Sequence, residues 1–246
     1  MDRTRPNQAK KLTPLHYEMA ARAAMWNESR SLDRVATPRV AQRKITLASL
    51  ELVAAHEPDF QVFEALLVLY QEPATEAIEG VEPDNMVVRH SEAFGQLESF
   101  NVPLMPARPF WVMQYVTGSR KKKDHDEDFQ KYERDLKVPY YLIFSPDKGN
   151  LTLYRLNETS QLYDTVLPDE HGRCAVREVG IDVGLVDGWA RFWFKGRLLL
   201  LPAELDRELS KARSELDRER RRADDAVSRA DRLAAKLYAM GIDPDA

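Results

Sequence analysis

The chain has 246 residues, 43% of them hydrophobic, with 36 basic against 40 acidic side chains and a net charge of -4. That is enough for one domain of ordinary size plus an appendage, and the acidic balance excludes a protein whose main task is a non-specific grip on phosphate, where each contact takes a Lys or Arg. The single cysteine, Cys174, excludes an internal disulfide and a thiolate zinc cluster; with no apolar run near the ~18 residues of a membrane span and no secretory pattern behind Met1, a cytoplasmic protein with no membrane contact is expected.

Residues 1–45 read as a helical N-terminal extension. Thr13-Pro14 starts a helix that runs through Trp26, with Pro in the first turn, where its missing N–H costs nothing. Residues 31–45 read as a second helix, but the turn between Ala36 and Val40 is too compressed to suit a helix-turn-helix. Residues 46–54 have apolar positions three and four apart and predict a helix. Residues 62–70 form a near-continuous apolar run, the pattern of a strand buried on both faces. Further strands are predicted at 86–88, 110–116 and 140–144. The last pairs with the alternating segment 151–156 across the turn Pro146-Asp147-Lys148-Gly149-Asn150, as a hairpin. Residues 161–167, 175–178 and 190–201 continue the strand-rich pattern, and Trp189 and Trp193 are expected to pack the last strand onto the core. The fold class is α/β: a mixed sheet with few helices over residues 46–202, one helix crossing between the strands that hold Gln114 and Tyr141.

From residue 203 to 246 the character changes. Leu205, Leu209, Ala212, Leu216, Glu219, Ala223, Ala226, Ala230, Leu233, Leu237 and Met240 follow alternate spacings of four and three. This is the seam of a C-terminal coiled-coil helix, flanked by mixed charges and ended by Gly241 with Pro244 beyond. Alanine in its middle permits close approach but buries little area, and Glu219 weakens it. A solvated single helix held by opposite-charge neighbours is the other reading.

The chemistry concentrates between Val81 and Pro146. Hydrolysing a phosphodiester takes one or two Mg²⁺ ions on oxygen ligands and a cation to offset developing charge. Asp84 follows Pro83 and precedes 86–88, so it stands as a first metal ligand; without a metal it would start the strand by a turn hydrogen bond. Alternation puts Val112, Gln114 and Val116 on one strand face, with Met113 and Tyr115 on the other. Gln114 needs a polar partner in such a strand: it is a neutral metal ligand or a satisfied core amide. Arg120, Lys121, Lys122 and Lys123 form a basic run, either nucleic-acid-facing or simply solvated. On the helix beginning near Asp124, the residues Asp124, Asp128, Lys131 and Asp135 make a polar stripe, and Phe129, Tyr132 and Leu136 the packed face. No Gly-rich phosphate loop, Ser-His-Asp arrangement or nucleotide fingerprint is readable, and the histidines have no metal-ligand spacing.

This order resembles the Uma-type restriction endonuclease family, of the PD-(D/E)XK nuclease fold. The features that carry the likeness are Pro83-Asp84, a strand centred on a polar residue, a Thr turn, Asp124, a helix reaching Tyr132, Val138-Pro139-x-Tyr141 and a Pro-bounded hairpin. It covers about residues 46–201 and extends to the tail, at Leu233-Ala-Ala-Lys-Leu and Gly241-Ile242-Asp243-Pro244. The resemblance implies a restriction-endonuclease-like sheet with flanking helices and a Mg²⁺-dependent cut in DNA. It puts Asp84 at the first metal-binding Asp, Gln114 where the family has Glu, and Asp128 where it has Lys. The implied activity is therefore impaired or lost, with weak or absent Mg²⁺ binding. Any residual catalysis would use Asp84 and Gln114 on the metal and Lys131 or Lys122 on the phosphate charge. The alternative is a non-catalytic interaction or scaffold protein that self-associates, or recruits a partner helix, through residues 205–240.

Overall fold

The protein is described from a computed structural model covering residues 13–28, 37–116 and 122–240. It divides into two compact units, Met1–Leu199 and Leu200–Ala246.

Two helices open the first unit. Helix α1 (Pro14–Glu28) buries Tyr17 and Ala21 against Leu67 and Leu69. Helix α2 (Pro38–Ala54) begins where Thr37 accepts a hydrogen bond from the Val40 N–H at 3.3 Å, with Pro38 in the first turn. The predicted break at residues 45 and 46 does not occur. The cap lies at Thr37, and no breaker follows it to interrupt the helical ladder.

The apolar run 62–70 is not one strand. It divides into β1 (Phe60–Glu64) and β2 (Val68–Gln71), which belong to different sheets. The chain turns at Ala65, whose φ of 47° no Gly or Pro announces; its N–H is anchored on the Asp84 carbonyl at 3.1 Å. Strands β3 (Ile78–Val81), β4 (Asn85–Arg89), β5 (Phe100–Asn101) and β6 (Pro109–Tyr115) follow. Helix α3 (Lys122–Gln130) passes into a π-helical turn, Lys131–Asp135, closed by Leu136 N–H on the Lys131 carbonyl at 2.9 Å. Strands β7 (Tyr140–Ser145) and β8 (Asn150–Leu156) form the expected hairpin, and β9 (Tyr163–Thr165) extends it.

Instead of the single expected sheet there are three. The largest has the order β1-β4-β6-β7-β8-β9, antiparallel except for β6 and β7, whose parallel pairing requires the α3 crossover. A smaller sheet orders β3-β2-β5. The third is a meander of β10 (Cys174–Val176), β11 (Ile181–Val186), β12 (Trp189–Phe194) and β13 (Arg197–Leu198). Its tight turns explain the extra division. Asp187-Gly188 and Lys195-Gly196 both have positive φ at each residue, the geometry of two-residue hairpins, so 190–201 is cut into β12 and β13. Trp193 is buried there under the Arg173 guanidinium, 4.2 Å from its ring centre.

Alternation along β4 and β6 sorts two cores. Val87, Trp111, Met113 and Tyr115 face α2 and the meander's Val183 and Phe192. Met86, Val88, Val112 and Tyr141 face Val68, Tyr70, Tyr132 and Leu136. The fully buried Gln42 ties α2 to the meander: its amide donates to the Ala190 carbonyl and accepts from the Ala190 N–H, both at 3.0 Å.

In the second unit α4 (Pro202–Ala239) is one continuous helix. Leu205, Leu209, Leu216 and Leu233 of its seam are exposed, and Glu219 is ion-paired with Arg222 at 2.7 Å. Among the described residues no helix is long and apolar enough to cross a membrane. The tail residues 241–246 lie outside the described residues.

Replacing Gln42 by Ala strands both Ala190 backbone groups in the core. It is expected to lower unfolding free energy by about 2–3 kcal/mol, measured by urea titration.

Candidate active site

Asp84 sits one residue before β4, where Pro83 has removed a donor from the chain, and it is fully buried. Its backbone N–H donates to the Met113 carbonyl at 2.9 Å, while its Oδ2 accepts from the Tyr115 N–H at 2.7 Å. Asp84 thus lies alongside Gln114, gripping the residue on either side of it. The carboxylate supplies β6 with the acceptor that the end of the β4 ladder lacks.

The other carboxylate oxygen faces α2. Arg39 and Arg43, one turn apart on a single helix face, each donate Nε–H to Oδ1, at 2.6 and 2.5 Å. Arg43 also lies 3.8 Å from Glu82. Two guanidinium groups and two carboxylates make this cluster formally neutral. A separate chain of hydrogen bonds lies farther along α2: Gln42 to Thr46 at 3.2 Å, Thr46 to the Tyr115 hydroxyl at 2.6 Å, and Tyr115 to Asn85 at 2.9 Å. Burial pushes the Tyr115 phenol well above its ordinary value, so it remains a donor.

Gln114 projects to the opposite face of β6 and is fully buried. Its Nε2 donates to Asp128 Oδ2 at 2.7 Å, and its Oε1 accepts from the Tyr141 hydroxyl. Donor and acceptor needs on the two sides fix the orientation of the amide. Aromatic rings support the pair: Tyr141 packs on Tyr132 with centroids 4.9 Å apart, and Phe129 meets Tyr154 edge-on at 5.2 Å. The crossover segment supplies Asp128 and Phe129 from one turn and Tyr132 from the next.

The structure therefore brings Asp84 and Gln114 onto adjacent strands but gives them different partners. Lys131 points to β3: its ammonium donates to the Gly80 carbonyl at 3.1 Å and lies 3.7 Å from Glu79. No hydrogen bond or ion pair joins it to Asp84 or Gln114. Of the basic run, Arg120 and Lys121 lie outside the described residues, and the backbone of Lys122 and Lys123 opens α3. Sequence reasoning missed Arg39 and Arg43. Their signal is the i, i+4 spacing behind Thr37-Pro38, legible once the helix is allowed to start there.

Residues 39–183, from the first turn of α2 into β11, match the family model Uma2, described as "Putative restriction endonuclease". The chain belongs to the Uma2 family. The match spans Arg39, Asp84, Gln114, Asp128 and Tyr141. Among solved structures, a protein of Anabaena variabilis described as a putative nuclease belonging to DUF820 is similar. It shares 10% identity at a TM-score of 0.43, over 58% of this chain and 74% of that one. No curated protein matches the chain.

Restriction-endonuclease-like proteins generally use a divalent metal, and the described side chains at Asp84 and Gln114 fit one poorly. Mg²⁺ needs near-octahedral oxygen ligands and carboxylate charge. Asp84 Oδ1 is shared by two guanidinium groups and Oδ2 is taken by a backbone N–H, while Gln114 is neutral with its oxygen engaged. Among the described residues no group of three His, Cys, Asp or Glu side chains is arranged to hold an ion. A divalent cation beside Asp84 would also meet two fixed positive charges.

Asp84→Ala leaves two guanidinium groups facing an emptied, buried position. We expect a loss of about 3 kcal/mol in urea unfolding, larger than that of Arg39→Met, whose side chain is 34% exposed. Gln114→Glu sets a second carboxylate against Asp128. Like charge raises one carboxyl of such a pair above the ordinary ~4.3 in the folded state. The variant should therefore be less stable than the parent at pH 8 and recover as pH falls to 5, a trend that thermal melts at the two values would read.

Proposed function

We propose that this Uma2-family protein descends from metal-dependent DNA endonucleases and that its own cleavage centre is impaired or lost. The observation that carries this reading is the double arginine clamp on Asp84. The carboxylate that a nuclease of this type would offer to Mg²⁺ is here neutralised by Arg39 and Arg43. The pair beside it supports the same reading. Gln114 and Asp128 meet where the family resemblance implies Glu and Lys, and their hydrogen bond runs from amide to carboxylate. In this chain the residue at 114 donates and the residue at 128 accepts, which removes the anion from the metal side and the cation from the phosphate side.

DNA is the polymer such a fold would meet, and the run Arg120, Lys121, Lys122 and Lys123 is the proposed contact, supported by its charge alone. A second reading, interaction through the C-terminal helix, is favoured by the exposed leucines of α4. In that reading the endonuclease-like domain serves as a scaffold, and residues 205–240 bring it to a second copy or to a partner helix.

The test is incubation of the full chain with supercoiled plasmid and with single-stranded circular DNA, in Mg²⁺ and in Mn²⁺. Both substrates are expected to remain intact. Cleavage that disappears in Asp84→Asn, with the circular dichroism spectrum unchanged, would overturn the reading.

A further inference from the structure

The α4 seam carries a pattern that selects its occupant. Leu205, Leu209, Leu216 and Leu233 are exposed along one continuous helix, and the charge flanking them is unevenly divided. Residues 205–219 contain five acids and four bases, whereas residues 220–240 contain six bases and three acids. The first half carries a net charge of -1 and the second +3, so a reversed copy sets the more acidic half of one helix beside the more basic half of the other. Resting on the interaction reading of α4, we propose that a second copy of this chain covers the seam, with the two α4 helices packed antiparallel about a two-fold axis near residue 221.

The register follows from the spacing. Leu209 layers on the partner's Leu233, Leu216 on the partner's Ala226, and Ala212 on the partner's Ala230. Leucines therefore fill both ends, and small residues let the helices approach between them. Glu208 flanks the partner's Lys236 and Glu215 the partner's Arg229, and the two-fold doubles each pair. Glu208 and Glu219 now hold Lys211 and Arg222 of their own helix, at 2.8 and 2.7 Å. These exposed pairs are weak and free to rearrange.

A parallel arrangement also offers favourable flanks, Glu208 to the partner's Arg213 and Glu215 to the partner's Arg220, so the decision falls on Glu219. In the parallel register it stacks on the partner's Glu219 within the seam, burying two like charges. Reversed, it faces the partner's Ala223 between the partner's Arg220 and Arg222. One buried polar residue in a seam commonly selects orientation in this way.

Light scattering of the full chain should give twice the single-chain mass of 28.3 kDa. Leu209→Lys combined with Leu233→Lys should return it to that value with helix content unchanged. Orientation is read in a Cys174→Ser background by mixing a Leu209→Cys chain with a Leu233→Cys chain under mild oxidation. The mixture should yield a linked dimer that neither chain forms alone. Linkage of Leu209→Cys to itself would overturn the antiparallel pairing while leaving self-association through α4 standing. A single-chain mass, a mass above two chains, or a doubled mass that survives both lysines would overturn the proposal entirely. None of these outcomes bears on the cleavage assay.

Discussion

A buried carboxylate at the mouth of β4 organises this molecule. Asp84 is fully buried and accepts three hydrogen bonds, two from guanidinium groups of α2 and one from the β6 backbone. A lone carboxylate in that position would be costly. The two arginines make it tolerable, and in doing so they fix where α2 begins its passage over the sheet. Farther along the same helix, Gln42 clips to β12 and Thr46 to Tyr115. Polar contacts spaced along α2 thus set its position, while Leu50 and Val53 contribute apolar burial. Such contacts specify geometry more than they add net stability.

Fold and chemistry are separate questions at this position. Family membership and the parallel β6–β7 pair with its crossover helix belong to an endonuclease-like architecture. Catalysis depends on a handful of charges grafted onto such a fold, and a fold can outlast them. Here the local charges are balanced within the protein: Arg39 and Arg43 against Asp84 and Glu82, and the Gln114 amide against Asp128. A centre already neutral and hydrogen-bonded offers a metal or a phosphate little electrostatic gain.

Much of the architecture was legible from pattern. The strands around Met86, Gln114 and Tyr141, the hairpin at Gly149, the crossover helix and the long C-terminal helix all follow from apolar periodicity and turn residues. Alternation also placed Val112 and Gln114 on one face of β6 and Met113 and Tyr115 on the other. What periodicity could not supply was the partition into three sheets. The division of residues 62–70 rests on Ala65 adopting a positive φ, a conformation alanine does not advertise, held by the Asp84 carbonyl from a distant strand. The start of α2 was hidden differently: Thr37-Pro38 is a readable cap, but it follows a segment whose composition also suits a helix.

By itself the sequence determined the order of elements, the endonuclease family, the polar character of positions 84 and 114 and the heptad spacing of α4, because each depends on residue type and local spacing. Only the tertiary structure decided what the polar groups do. That Asp84 answers to Arg39 and Arg43, that Gln114 answers to Asp128 and Tyr141, and that Lys131 turns to Gly80 are facts of long-range packing. The physical reason is that a buried charge or amide must find a partner wherever the fold brings one near, and 41 residues separate Arg43 from Asp84 along the chain.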